Sequence, residues 1–174
     1  ATFESNKNLT TVSLENNTTL TAFANYTFGV CSSLQSITIP DSVTTIGSQV
    51  FTSCTALTRV NISENSNLTS IGSQAFNNCS NLEALYLPSG ITSIGVTGSG
   101  TSPFNNCSKL YFVNTPNEAK PEVYFFPANL SSVIGETFKS CTSLNSVLVF
   151  PTGVTAIENG WAFCNAGSYT LVFL

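Results

Sequence analysis

Apolar side chains recur along this chain in a fixed order that repeats about every 23 residues. The clearest copy has polar residues between the apolar positions Leu34, Ile37, Ile39, Val43, Ile46, Phe51 and Cys54. The alternation around Ile37 predicts a short, half-buried β-strand. Val43 and Ile46 lie three residues apart and precede Gly47, which predicts an opposite wall where the chain turns on a small residue. Each unit therefore has one strand, an opposite wall and an apolar corner.

This order of apolar positions begins six times, near residues 9, 34, 57, 82, 110 and 144. No single unit can bury its apolar edge alone, so the units must stack against one another. Units of this length with an L-x-x-I-x-I start belong to the leucine-rich-repeat class. The pattern predicts one leucine-rich-repeat domain over 1–174, a mostly β and irregular solenoid of the α/β-type horseshoe class. We expect a right-handed stack with a parallel β-sheet on one face.

A phenylalanine, followed three residues later by a cysteine, closes five of the units. These cysteines are Cys31, Cys54, Cys79, Cys107 and Cys141. A disulfide or metal framework is one interpretation, but five equivalent positions cannot all pair, and structural zinc sites need close-set ligands. A ladder of small buried thiols is therefore favoured. Cys164 follows Phe163 directly, and we expect it to be the most exposed thiol.

The full motif L-x-x-I-x-I-P-x-x-V-x-x-I-G-x-x-x-F-x-x-C, as it stands from Leu34 to Cys54, resembles the BspA-like leucine-rich repeat. The stretch from Ile71 to Cys79 is similar to that family's I-G-x-x-A-F-x-x-C signature. The resemblance covers residues 9–164. It implies a surface or secreted protein of mucosa-associated bacteria or protozoan parasites that binds host matrix, host cells or other microbes. It brings no catalytic residues with it.

The composition excludes several functions. Charged residues make up only 8% of the chain, the net charge is -4, and the five Lys and Arg are scattered singly, so nucleic acid is not an expected partner. The chain has no His and a single Asp, Asp41, which removes the usual bases and metal ligands. We therefore predict no enzymatic activity, no metal and no cofactor. No apolar run approaches the length of a membrane span.

The later units are irregular. Insertions are predicted at 96–103, which is rich in glycine, and at 115–128, which contains three prolines. An extra residue is expected at Phe150, and a closing strand near 168–174. Because the first units are regular scaffold, any binding specificity should lie in the later ones.

Side chains between the inward positions of each strand should face out, and along the chain they change from small and polar to aromatic. From these we select Arg59, Tyr86, Phe112 and Leu148 as candidate ligand-binding residues, and we add Tyr111, which lies beside them in the sequence. One interpretation is an exposed aromatic patch, which is typical of interaction sites. In the other, residues 115–128 fold back and cover Tyr86 and Phe112 with Tyr124, Phe125 and Phe126, forming a separate small core.

The sequence favours a non-catalytic extracellular or cell-surface module of adhesin type, with a protein or glycan ligand on a host or microbial surface. Any targeting segment is expected to lie outside these residues. The alternative is a structural spacer within a longer repeat array, which would have no ligand of its own. A carbohydrate-active solenoid enzyme is disfavoured, because Arg59 is the only charged residue expected on the outward face of the strands.

Overall fold

The computed structural model describes residues 3–14, 16–95, 102–158 and 161–174. Within these residues the chain forms short β-strands and no helix. The strands, in chain order, are β1 Thr11–Val12, β2 Ala22–Phe23, β3 Ser36–Thr38, β4 Thr45–Ile46, β5 Arg59–Asn61, β6 Ser70–Ile71, β7 Ala84–Tyr86, β8 Ser93–Ile94, β9 Tyr111–Val113, β10 Val123–Phe125, β11 Ser132–Ile134, β12 Val147–Phe150, β13 Ala156–Glu158 and β14 Thr170–Phe173.

One wall of the molecule is a continuous parallel sheet, here called the back sheet. Its six strands are β2, β4, β6, β8, β11 and β13, each beside the next. Every strand gives one apolar residue to the interior, and these align in register as Ile46, Ile71, Ile94 and Val133. Each of the six sequence units supplies one strand, so the predicted six-unit repeat solenoid is confirmed.

The opposite wall, the front face, is built from the remaining strands in three parallel groups: β1-β3-β5, β7-β9 and β10-β12-β14. In the regular units the inward residues align as Ile37 with Val60. The core lies between the two walls and is one cluster of buried residues that runs through all the units. The predicted parallel sheet is therefore present on the front, and the back wall, predicted only as a turn, is also a sheet.

Stacked phenylalanine rings and cysteine thiols form the corner between the walls. Successive ring centroids from Phe28 to Phe138 lie 5.2–5.9 Å apart with nearly parallel planes. Each thiol donates a hydrogen bond to a phenylalanine carbonyl of the preceding unit, as Cys54 Sγ does to Phe28 O at 3.1 Å. The five corner cysteines are free and buried, and Cys164 is half-buried. The prediction of a ladder of buried thiols is confirmed.

The register of the fifth and sixth units differs from the prediction. In the regular units the inward strand residue follows the leading leucine by three positions, but in the fifth unit it is Phe112, two positions after Leu110. In the sixth unit it is Leu148, four positions after Leu144. Successive side chains on a strand point to opposite faces, so a shift of one residue exchanges inside and outside. The extra residue lies before β12, and its predicted placement at Phe150 is wrong.

Of the two predicted insertions, most of 96–103 lies outside the described residues. The other insertion, 115–128, forms a loop and then returns to the front face as β10. This strand follows β9 along the chain and pairs with β12. Here Tyr124 and Phe126 point into the main core and Phe125 points out. None of the described residues forms a helix long and apolar enough to cross a membrane.

Candidate ligand-binding groove

A groove of about 700 Å³ lies on the front face, between the strands of the first five units and the loop that follows β9. Its volume is within the roughly 300–1,000 Å³ typical of pockets for small ligands. It is lined by residues 14, 16–18, 38–42, 59–63, 84, 86, 111, 113 and 116–118. Aliphatic and tyrosine side chains contribute more of its surface than the hydroxyl and amide groups do, so the groove is mostly apolar with a few polar groups and few charges.

Strand register explains which side chains form its floor. On the outward side of the front face, Arg59 of β5 lies beside Ser36 of β3, and Asn61 lies beside Thr38. On the neighbouring strand pair, Ala84 aligns with Tyr111 and Tyr86 aligns with Val113. The two tyrosines therefore stand on adjacent strands, on the same face and offset by two residues.

Arg59 joins the floor to the loop wall. Its side chain is exposed, and Nη1 donates a hydrogen bond to Asn117 Oδ1 at 3.3 Å. A guanidinium group carries five N–H donors. Among the described residues this is its one hydrogen bond, so the remaining donors of Arg59 are available to a ligand.

The two tyrosines are half-buried and differ in their surroundings. Burial raises the pKa of Tyr86, and the nearby negative charge of Glu64 raises it further. The ammonium of Lys120 lies 5.6 Å from the centroid of the Tyr111 ring, within cation–π range. Lys120 Nζ also donates to Ser143 O at 2.6 Å, which fixes it over that ring. Both rings present apolar surface, and each carries a hydroxyl that can donate and accept hydrogen bonds.

Short polar contacts hold the loop wall in place. Glu118 Oε2 accepts hydrogen bonds from the backbone N–H groups of Asn114 and Thr115, at 2.7 and 3.1 Å. The Asn114 side chain in turn pairs with β10, since Nδ2 donates to Val123 O and Oδ1 accepts from Phe125 N. The Glu118 carboxylate is thus occupied in shaping the loop.

The far rim of the groove, in units two and three, is a polar network. Ser63 donates to Asp41 Oδ1 at 2.6 Å, and Asn61 Nδ2 donates to Thr38 Oγ1 at 3.2 Å. Asn67 donates to the Asp41 carbonyl through both its backbone and side-chain nitrogen. Across the described residues, no three His, Cys, Asp or Glu side chains come together as metal ligands would.

The structure brings three of the five predicted site residues together: Arg59, Tyr86 and Tyr111 all line the groove. The prediction that Phe112 and Leu148 face outward is wrong, because both are fully buried. The cause is the one-residue shift of register in each of their units.

Neither predicted arrangement of the 115–128 segment is observed as a whole. Tyr124 and Phe126 do cover Phe112, with ring centroids 5.1 and 5.9 Å away, but they extend the main core and form no separate one. Phe125 is 57% exposed on the outer face. Tyr86 stays open to the groove, and the loop at 116–118 forms its wall.

Sequence reasoning did not find the groove residues Asp41, Asn117 and Glu118. Asp41 stood out only as the single aspartate. The loop residues gave no repeat signal, because their positions follow from contacts of an insertion with the front face.

With the groove described, comparison with known proteins identifies the family. The profile of the BspA-type leucine-rich-repeat region matches six copies, over residues 1–126 and 122–173. The chain belongs to this family. No curated protein sequence matches this BspA-type repeat chain.

Solved structures similar to this BspA-type chain are bacterial leucine-rich-repeat proteins. The T. pallidum leucine-rich-repeat protein TpLRR has a TM-score of 0.62 and 21% identity, over 94% of this chain and 72% of that one. A leucine-rich-repeat protein from Bacteroides ovatus ATCC 8483 has a TM-score of 0.50 and 19% identity, over 98% of this chain and 62% of that one. At these identities the likeness shows the fold, and the BspA-type repeats here span only part of each longer chain.

Proposed function

We propose that this chain is a non-catalytic extracellular interaction module of adhesin type, and that the groove on its front face binds a ligand on a host or microbial surface. The observation that carries the proposal is the convergence of Arg59, Tyr86 and Tyr111 on one preformed groove. A cleft with apolar rings and a few placed polar groups is the usual form of a binding site. Arginine and tyrosine are also enriched at interaction hot spots.

The surface location is supported by the family. BspA-like members are typically surface or secreted proteins, as the sequence motifs imply. Membership of the family does not name a ligand. The proposal therefore rests on the groove.

Binding of the labelled chain to surfaces coated with mucin or fibronectin, and to epithelial cell monolayers, tests the proposal. Substituting Tyr86 or Tyr111 by Ser, or Arg59 by Ala, should each weaken binding about tenfold or more, which corresponds to roughly 1.4 kcal/mol. Arg59 is exposed and the two tyrosines are half-buried, so the fold should be retained, with the largest loss of stability for Tyr86→Ser because that ring packs against the core. Thermal unfolding checks this.

The control is Thr92→Ala, an exposed position on the back wall whose side chain lies far from the groove rows. It should bind like the unsubstituted chain. If all three groove variants bind as well as that control, the groove is not the binding site and the proposal fails.

The second candidate is a structural spacer within a longer repeat array. It is favoured by the exposed ring of Phe173 (56%) on β14, an edge strand of its sheet, which a stacked neighbour would cover. A spacer should show no binding to any of these surfaces at micromolar concentration while remaining folded. Binding that depends on the groove would exclude a purely structural role.

A further inference from the structure

We propose that the groove recognises an uncharged oligosaccharide, with Tyr86 and Tyr111 as the surfaces on which sugar rings stack. This inference rests on the proposed function and names the chemistry of its ligand. It is carried by the pairing of two half-exposed tyrosine rings with a rim of neutral amides and hydroxyls.

The placement of the tyrosines suits neighbouring sugar rings. They occupy adjacent parallel strands with an offset of two residues on the same face. Strands lie about 4.8 Å apart and rise about 3.3 Å per residue, which separates the two Cα atoms by roughly 8 Å. The negative face of an aromatic ring attracts the weakly positive C–H groups that line one face of a pyranose. A hydroxyl at the edge of each tyrosine adds a donor and an acceptor.

The polar groups of the groove match a ligand that both donates and accepts hydrogen bonds. Arg59 supplies donors, Asp41 supplies a carboxylate acceptor, and Asn61 carries both kinds of group on one amide. Each sugar hydroxyl can likewise donate one hydrogen bond and accept others. A planar guanidinium, carboxylate or amide can therefore engage two adjacent hydroxyls at once.

The charges of the groove favour a neutral ligand. Its charged lining residues are Arg59, Asp41 and Glu118, and the Glu118 carboxylate is already hydrogen-bonded to the backbone of its own loop. An acidic ligand would meet the carboxylate of Asp41, and a basic one the guanidinium of Arg59. Beside the groove, Lys120 lies over the Tyr111 ring and Glu64 lies near Tyr86. Charges of both signs therefore surround the ligand, and neither an anion nor a cation is selected.

The groove is also held in shape before any ligand arrives. Hydrogen bonds between Arg59 and Asn117, between Asn114 and β10, and between Lys120 and Ser143 fix the floor and the loop wall. Preorganisation lowers the entropy lost on binding. This matters for a sugar, because its hydroxyls gain little by exchanging water for protein.

The test is a glycan array probed with the labelled chain. It carries neutral oligosaccharides (maltotetraose, cellotetraose and a poly-N-acetyllactosamine), sialylated forms of the last, and heparin fragments. The expected result is binding to one or more neutral glycans. Affinity should then be measured in solution for Tyr86→Ala and Tyr111→Ala, each of which should lose about tenfold or more, whereas Tyr86→Phe and Tyr111→Phe should retain most of it.

The matched control is Tyr26→Ala. Tyr26 lies in the corner of the first unit, outside the groove. Its ring is 39% exposed, so like the groove tyrosines it presents aromatic surface to solvent. Its replacement should leave glycan binding unchanged. A similar loss in this variant would show that binding is not specific to the groove, and would overturn the inference.

The remaining outcomes separate the inference from the function on which it rests. If only sialylated glycans or heparin bind, an uncharged ligand is wrong. If no glycan binds but enzymatically deglycosylated fibronectin does so through the groove, the ligand is a protein, and the proposed function stands without this inference. If a folded sample binds neither glycans nor proteins, both fail.

Discussion

The side-chain amide of Asn145 pairs with both backbone polar groups of Phe112. Asn145 Oδ1 accepts from Phe112 N, and Nδ2 donates to Phe112 O, each at 2.9 Å. Nδ2 also donates to Pro121 O at 2.9 Å. β9 has a strand partner on one side only, β7, so this amide supplies the hydrogen bonds that a strand would supply on the other. The sixth unit has one residue more than the regular units before its strand, and Asn145 lies in that lengthened stretch.

Asn145→Ala should destabilise the protein by about 2–4 kcal/mol, because it leaves the buried N–H and C=O of Phe112 without partners, at roughly 1–3 kcal/mol each. Chemical denaturation measures the change. Asn129→Ala is the control: Asn129 is exposed, and its side chain makes one hydrogen bond, to Ser89 O. If the free energy of unfolding falls by the same small amount in both variants, the hydrogen bonds of Asn145 do not stabilise β9 as described.

Alkaline pH should destabilise the protein through the corner thiols. Burial raises the pKa of Cys54 and Cys141 from 9.0 to about 12, and it raises the pKa of Cys79 and Cys107 well above 9.0. The unfolded chain therefore ionises first, so stability is complete below pH 9 and falls as the pH rises toward 12. The slope reaches at most about 1.4 kcal/mol per pH unit for each thiol.

Unfolding midpoints at pH 8, 9, 10 and 11 check this dependence on pH. Thr92→Ala, an exposed substitution that removes no thiol, should leave the slope unchanged. Cys79→Ala should lower stability at pH 8. It should also make stability fall less steeply between pH 9 and 11, because one ionisable thiol is removed. A midpoint constant from pH 8 to 11 would contradict the assignment.

Val30→Asn should stabilise the protein by about 1 kcal/mol. Val30 has a φ of 59°, and a left-handed backbone costs an L-residue roughly 1–2 kcal/mol, least for Asn. Asn78 and Asn106 occupy the same corner position with φ values of 61° and 60°. Thermal unfolding measures the effect, and the reverse change, Asn106→Val, should lower the midpoint. A lower midpoint for Val30→Asn would mean that lost apolar burial outweighs the relief of strain.

Tyr124→Phe should raise stability by about 1 kcal/mol. The Tyr124 hydroxyl is buried and has no hydrogen-bond partner among the described residues, so it pays desolvation without compensation. Tyr169→Phe is the comparison, since its hydroxyl donates to Phe163 O at 3.4 Å and its loss should be neutral or slightly destabilising. A destabilised Tyr124→Phe would show that this hydroxyl has a partner in solution, such as a bound water.

The sequence sufficed for the fold wherever the units kept constant spacing. Ile37, Val60 and Leu85 each follow their leading leucine by three residues, and all are buried as expected. The same rule placed Phe112 and Leu148 on the wrong face, because one unit lost a residue and the next gained one. In the fifth unit the shift is hidden, since both Phe112 and Val113 are apolar and either could point inward. In the sixth unit the spacing from Leu148 to Pro151 equals that from Ile37 to Pro40, so counting back from the proline would have given the observed register.

The site was predictable to the same extent. Arg59 and Tyr86 lie in units with regular spacing, so their outward direction follows from strand alternation. Asn117 and Glu118 reach the groove through the path of a loop. That path is set by the contacts of Asn114 with β10 and of Arg59 with the loop itself. Tertiary contacts of this kind leave no periodic signal in a sequence.

The back wall is one continuous sheet and the front face is divided into three groups of strands, so the solenoid should bend more easily in one direction than in the other. The back sheet carries a backbone ladder through all six strands, whereas side-chain amides carry the crossing from β9 to β10 on the front. Hydrogen bonds between neighbouring strands run along the stacking axis of the units, so tension along that axis pulls on them directly, and the crossing held by a few amide bonds is the weaker one. Tension along the molecule should therefore open the front beside the loop that walls the groove, which makes the groove sensitive to mechanical load.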